Sequence, residues 1–253
     1  MTTLAHIDFQ VPDWGEWPAP PTARPGYRGA VLSDGPLAYW RLGEASIDQP
    51  VLDASGHEHH AAYTGQPLPG VDRPLRWDRD TAVHLDGDTA AIQLPDSLVI
   101  PAGSPISVSL WARVFPDQVG QTMAFTLGDR DTPHRCNAAL PWFNHELNWV
   151  YGDIPSGRLT TDFTHCLGRW VHVVLLSAGA AGALQAVYLD GVPVASAPNS
   201  QGPAVDLVGG WIGRNTFTPG GLFHAGDLDE FAVFTHLLEP QRIQAHYRAG
   251  VGR

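Results

Sequence analysis

Carboxylates at Asp227, Asp229 and Glu230 are the first side chains in this chain that suggest chemistry. Residues two apart on a strand share a face, so Asp227 and Asp229 would point the same way. Retaining glycoside hydrolysis needs two carboxyl groups about 5–5.5 Å apart. The run Asp227-Leu228-Asp229-Glu230 approaches a Glu-x-Asp-x-x-Glu pattern but lacks the third acid. No catalytic residue is expected. His57-Glu58-His59-His60 invites a zinc reading, but the zinc-protease pattern needs its second His at the fifth position, where Ala61 stands. Following Gly56, these residues read as a solvated loop. No Ser/His/Asp or Cys/His arrangement has usable spacing, and no Gly-rich phosphate loop precedes a helix. The stretch Trp142-Phe143-Asn144-His145-Glu146-Leu147-Asn148-Trp149-Val150-Tyr151 interleaves aromatics with polar groups. Sugar sites combine apolar contact with a few polar groups that fix orientation. The candidate ligand residues are therefore Trp142, Asn144, His145, Trp149 and Tyr151, with Arg214 beside Asn215 as a weaker addition. Core packing explains two of the three large rings equally well.

These residues must be positioned by short strands. Ile106-Ser107-Val108-Ser109-Leu110-Trp111-Ala112-Arg113-Val114 alternates apolar with small or polar residues, the mark of a half-buried strand. Trp170 to Leu176 and Gln185 to Leu189 are two more. Asp190-Gly191 makes a tight hairpin into Val192-Pro193-Val194, since Gly accepts the positive φ of such turns. Asp86-Gly87 reads the same way between Ala82–Leu85 and Ala90–Leu94. One helix is expected over 238–247, with Pro240 in its first turn and Gly250 beyond its end. The order of elements excludes an alternating β/α plan, and no repeat of 20–50 residues recurs.

Composition agrees. The 27 glycines and 22 prolines make up about a fifth of the 253 residues, which suits many strands joined by tight turns. Nine tryptophans and a 43% hydrophobic content can fill a sizeable core. A net charge of −11 argues against nucleic acid, whose phosphates need basic partners, and against anionic lipid. All fifteen basic residues are Arg, as a GC-rich genome would give. Met1 to Asp8 lacks the basic and apolar regions of an export signal, and no run is long enough to span a bilayer. Cys136 and Cys166 could form one bridge in an oxidising place, but read rather as two reduced thiols, at least one of them buried. Residues 1–28 carry Pro12, Pro18, Pro20, Pro21 and Pro25 with Trp14 and Trp17. They read as an extended arm preceding one domain over 29–253. Trp14 and Trp17 either pack back on the domain or dock on a partner.

Eight motifs in order carry a family resemblance. They are Ala38-Tyr39-Trp40-Arg41-Leu42-Gly43-Glu44; Asp53-Ala54-Ser55-Gly56 leading to Ala62-Tyr63-Thr64-Gly65; Leu85-Asp86-Gly87; Ser107 to Arg113; Gly168-Arg169-Trp170-Val171-His172-Val173; Val187-Tyr188-Leu189-Asp190-Gly191; Trp211-Ile212-Gly213-Arg214; and Asp227 to Phe234. Together they resemble the laminin G-like (concanavalin A-like, pentraxin-related) jelly roll over residues 28–250, in a phage tail and actinobacterial subtype. The resemblance implies an all-β sandwich of two antiparallel sheets. It also implies a carbohydrate or protein ligand, and often Ca²⁺ joining the first strand's end to the penultimate strand. The matching positions here are Glu44 and Asp229, with Asp53 near in sequence. Glycosidases of the laminarinase type are similar in fold, but their carboxylate set is missing. By motif order, Asp227 to Glu230 lies beside the first strand at a sheet edge. The expected protein is a non-enzymatic virion accessory component, of minor tail or capsid decoration type. Its partners would be other virion proteins, held through the arm, and host cell-surface polysaccharide; a homo-oligomer is left open. The alternative is a carbohydrate-binding module of a bacterial surface or secreted protein, located outside the cell.

Overall fold

Alternation along the strands builds two sheets that close on a shared apolar layer. The computed structural model describes residues 26–118, 120–128, 135–152, 157–198, 201–215 and 221–252. In chain order the elements are α1 (Tyr27–Leu32), β1 (Ala38–Trp40), β2 (Ala62–Thr64), β3 (Leu68–Val71), β4 (Ala82–Asp86), β5 (Ala91–Ile100), β6 (Ile106–Arg113), β7 (Met123–Leu127), β8 (Arg135–Ala139), β9 (Glu146–Gly152), β10 (Arg158–Asp162), β11 (Trp170–Ser177), β12 (Leu184–Leu189), β13 (Val192–Pro198), β14 (Leu207–Ile212), β15 (Ala225–Phe234) and α2 (Pro240–Val251). One sheet runs β13-β12-β11-β6-β15-β4-β3, with β1 also paired to β15; the other runs β10-β9-β8-β7-β14-β5-β2. Every ladder between these strands is antiparallel. This is a jelly-roll sandwich, as the motif order implies.

The inner layer is filled by one residue in two from most strands: Val108, Leu110 and Ala112 of β6, Trp149 and Tyr151 of β9, and Leu228, Phe231 and Val233 of β15. The opposite face of the first sheet is covered too. Trp111, Val174, Tyr188, Ala232 and Phe234 pack beneath Tyr27 and Val31 of α1 and Ile243 of α2. Strand β6 is therefore buried on both faces rather than half-buried, because two helices shield the side carrying Ser107, Ser109 and Trp111. Helix α2 starts with Pro240 at its first position and closes on Gly252 in the left-handed conformation. Gly250 belongs to the helix instead of following it. A Cβ there would lie 2.4 Å from the Trp111 ring, so only glycine lets α2 settle on that side chain. Helix α1 was not expected, and Tyr27 and Arg28 belong to it rather than to an arm.

The two Asp-Gly pairs diverge. Asp190 and Gly191 both take positive φ, 52° and 78°, and join β12 to β13 as a hairpin. Asp86-Gly87 instead carries the chain from one sheet to the other, since β4 and β5 lie in different sheets. The Asp86 carboxylate accepts hydrogen bonds from the amides of Asp88, Thr89 and Ala90, which fixes the crossing. Strand β15 is interior, between β6 and the β4/β1 edge, and not at a sheet edge itself. It pairs with β4 through Leu228 and with β1 from Phe231 onward. Between them Glu230 sits at φ 56° and the register against β6 shifts. That bulge lets one strand serve two short neighbours.

Candidate functional site

The strongest candidate lies on the outer face of the second sheet. Because side chains alternate, β8 sends Cys136 and Ala138 to the core and presents Arg135, Asn137 and Ala139 outward. Likewise β9 buries Leu147, Trp149 and Tyr151 and presents Asn148 and Val150. With Met123, Trp142, Arg158, Gln121, Asn215 and Leu222 these outward residues enclose a pocket of about 170 Å³. The Arg158 guanidinium stands 5.5 Å from the centroid of the Trp142 ring, within reach of a cation–π contact. Asn148 accepts a hydrogen bond at Oδ1 from the Thr160 hydroxyl, 2.5 Å away, while its buried Nδ2 has no partner. Asn137 donates through Nδ2 to Met123 Sδ at 3.6 Å, and its buried Oδ1 has no partner. Buried polar groups are nearly always satisfied. One unpaired donor and one unpaired acceptor therefore lie buried in the wall of the same pocket.

Of the expected ligand residues, only Trp142 lines this pocket. Trp149 and Tyr151 are fully buried core rings, stacked with centroids 6.0 Å apart. Trp149 donates through Nε1 to the Leu176 carbonyl and Tyr151 through its hydroxyl to that of Ser104. They are not a sugar platform. Asn144 and His145 form a short 3-10 turn, Phe143–His145, at φ 57° and 58°. That turn shapes the approach to Trp142 without lining the pocket. Arg214 is held between Trp211 and Phe223, 4.6 and 4.9 Å from their centroids, beside the pocket residue Asn215. Trp14 and Trp17 fall outside the described residues. Reading Leu147 to Tyr151 strictly by twos would have put Asn148 and Val150 on the outer face and both rings in the core. The same rule applied to Arg135-Cys136-Asn137-Ala138 finds Arg135 and Asn137.

The acidic run does no open chemistry. Asp227 is clamped by Arg113 Nε at 2.6 Å and His84 Nδ1 at 2.7 Å. Asp229 is completely buried, and neither carboxylate oxygen has a hydrogen-bond partner. Burial, with Glu230 and Asp80 nearby, pushes its pKa well above the carboxylate range. Glu230 accepts from the Tyr39 hydroxyl and from Arg41 Nε and Nη2. Burial raises its pKa to about 7 against the opposing pull of Arg41 and Tyr39. A larger cavity of about 570 Å³ opens beside Arg41, Glu44, Asp53 and Asp80. Its charges are largely spent on one another: Arg41 bridges Asp78, Asp80 and Glu230 at 2.7–2.9 Å.

Calcium takes six to eight oxygen ligands; of the three expected residues, Asp229 is buried without a partner, whereas Glu44 and Asp53 are engaged in hydrogen bonds. Glu44 accepts from the Leu52 amide and the Tyr63 hydroxyl. Asp53 accepts from the amides of Tyr39, Ser55 and His59 and from the Ser55 hydroxyl. Burial alone would raise the Asp53 pKa; those bonds hold it below its ordinary value. Among the described residues no three His, Cys, Asp or Glu side chains are grouped to hold a metal ion. The His57–His60 loop disperses its imidazoles toward the Leu37 carbonyl, Ser97 and the Asp53 amide. Both cysteines are buried and unpaired.

The model of the concanavalin A-like lectin/glucanases superfamily, laminin G type, matches residues 86–244. The chain belongs to that superfamily. No curated protein sequence matches it. Among solved structures it resembles domain 4 of AbnA, a GH43 extracellular arabinanase from Geobacillus stearothermophilus, in complex with arabinotriose. The TM-score is 0.61 at 21% identity, covering 84% of this chain and 98% of that one. It also resembles the binding domain of botulinum neurotoxin serotype D, with a TM-score of 0.64 at 13% identity. A third is the binding domain of botulinum neurotoxin DC in complex with rat synaptotagmin II, with a TM-score of 0.63 at 10% identity. The superfamily fold covers 85% and 86% of this chain in these two cases, and the chain spans about half, 52%, of each neurotoxin domain. At these identities the likeness is one of fold. No helix among the described residues is long and apolar enough to cross a membrane.

Proposed function

We propose that this is a non-catalytic binding domain that takes a saccharide on the outer face of β7–β10. The observation that carries the reading is the pocket itself, where the Trp142 ring adjoins the unfilled Asn137 Oδ1 and Asn148 Nδ2. Sugars offer apolar ring faces and rows of hydroxyls that both donate and accept, which matches that combination. The arabinotriose complex of the similar arabinanase domain supports a saccharide over a protein ligand. The absence of an accessible carboxylate pair in Asp227, Asp229 and Glu230 supports binding without turnover. The test is retention on immobilised polysaccharides, arabinan included. Wild type should be retained, and Trp142→Ala and Asn148→Ala should each weaken retention. Undiminished retention by both variants would refute the site.

The finer setting proposed is an outward-facing virion component held through the residues ahead of α1, with Trp14 and Trp17. It rests on the order of the motifs and on the Pro- and Trp-bearing segment. Labelling of purified particles by an antibody to the domain tests it. A module of a bacterial surface or secreted protein is the second reading, favoured by the match to an extracellular arabinanase domain. Calcium is a separate proposal that would require Glu44 and Asp53 to release their hydrogen bonds. A rise in melting temperature with millimolar Ca²⁺, abolished in Asp229→Asn, would establish it.

A further inference from the structure

We infer that the sugar this pocket takes is anionic, a uronate or a sulfated residue; the inference rests on the saccharide reading and narrows it. The chain is strongly acidic, at −11, yet the exposed Arg158 stands over the pocket and no Asp or Glu is among its described lining. A local reversal of charge against an acidic body attracts anions preferentially. Arg158, Val150 and Asn137 stand in one cross-strand row over β10, β9 and β8. That row places an exposed guanidinium at one side, the unfilled Asn137 Oδ1 at the other and the apolar Val150 between them. Neighbouring strands are about 4.8 Å apart, so the backbone positions of Arg158 and Asn137 are separated by roughly 10 Å. Asn148 adds its open Nδ2 in the next row. Glu146 and Asp162 pair at the end of the β9–β10 ladder, two positions beyond Asn148 and four beyond the Arg158–Val150 pair. A guanidinium presents parallel donors that match the oxygens of a carboxylate or sulfate, and Trp142 offers the sugar face a ring beside it.

The experiment titrates the full chain by calorimetry with glucuronic acid-terminated and galactose 6-sulfate-terminated oligosaccharides, each against its uncharged counterpart. At least one anionic probe should bind about tenfold more tightly than its neutral partner, the scale of one charge-assisted hydrogen bond. The advantage should shrink as salt is raised. Arg158→Gln should bring the ratio of charged to neutral affinity close to one, whatever it does to the neutral affinity itself, since Arg158 also lines the pocket. Equal binding of charged and neutral probes overturns the inference and leaves the saccharide reading standing. So does a preference that survives in Arg158→Gln. Failure of the folded chain to bind any of the probes overturns both.

Discussion

A single aromatic residue separates surface from core in this molecule. Trp142 is partly exposed over the pocket, whereas Trp149, seven positions on, is fully buried. Trp149→Ala should lose about 3–5 kcal/mol of stability in chemical denaturation, the cost of emptying a large core site. Trp142→Ala should change it by less than about 1 kcal/mol. The sequence marked both as ring-bearing, but aromatic richness does not say which face a ring takes; only the period-two position within β9 does. Asp229 poses the opposite puzzle, a buried acid with no partner. Its raised pKa means that its favourable contribution exists at low pH, where it is protonated, and is lost as pH rises above the ordinary carboxylate range. Asp229→Asn cannot ionise and has no hydrogen bond to forfeit. It should be more stable than wild type by about 1 kcal/mol or more at pH 8, with the gap closing toward pH 4. A gap that stays constant across this range would show that Asp229 is charged in the native protein. Nothing in the local sequence announces that burial, because Asp229 and Glu230 look alike until the bulge sends one to Arg41 and leaves the other sealed.

Elements outside the sandwich are held by a small polar clasp. Asp34, just past α1, accepts two bonds from Arg242 Nε at 2.7 and 3.0 Å and meets His246 Nε2 at 2.7 Å. His246 is buried, and without the carboxylate its Nε2 keeps only the longer bond to the Ala30 carbonyl, 3.2 Å away. Asp34→Ala should lower stability by about 2–4 kcal/mol, read by denaturant titration. A deletion of residues 1–25 should leave a folded domain with near-native melting, because the buried Tyr27 and Val31 are retained. A deletion through Leu32 should destabilise it by uncovering Trp111 and Phe234. Helix α2 was readable from Pro240 and its apolar spacing. The six residues of α1 carry no capping side chain and include Gly29; only the apolar sheet face beneath them makes a helix there worthwhile, and that face is set by strands far away in sequence. Crossings are equally non-local. Two Asp-Gly pairs of one local type lead to a hairpin and to a change of sheet.

At the scale of the whole molecule, buried histidines set the acid limit. Burial lowers the pKa of His172, His246 and His224, the last to about 4. Each binds protons more readily when unfolded, so stability falls as pH drops below the ordinary imidazole value of 6.5. Glu230, raised to about 7, acts in the opposite sense, its contribution fading as pH climbs from about 4.5 to 7. Melting curves between pH 4 and 8 should therefore pass through a maximum in wild type. His224→Asn should move that maximum to lower pH; an unchanged profile would remove His224 from the explanation. The ordered motifs made the sandwich legible as a whole, since turn residues and strand periods recur in their proper sequence. The pocket was less legible, because its walls come from four strands and the loops beside them, spread over about a hundred residues. One consequence of the layering concerns presentation. The chain enters through α1, on the far side of the first sheet, while the pocket opens on the far side of the second. Were the protein held just ahead of Gly26, its helical back would face the holder, and the sandwich, with its sheets about 10 Å apart, would set the pocket on the side turned away from it.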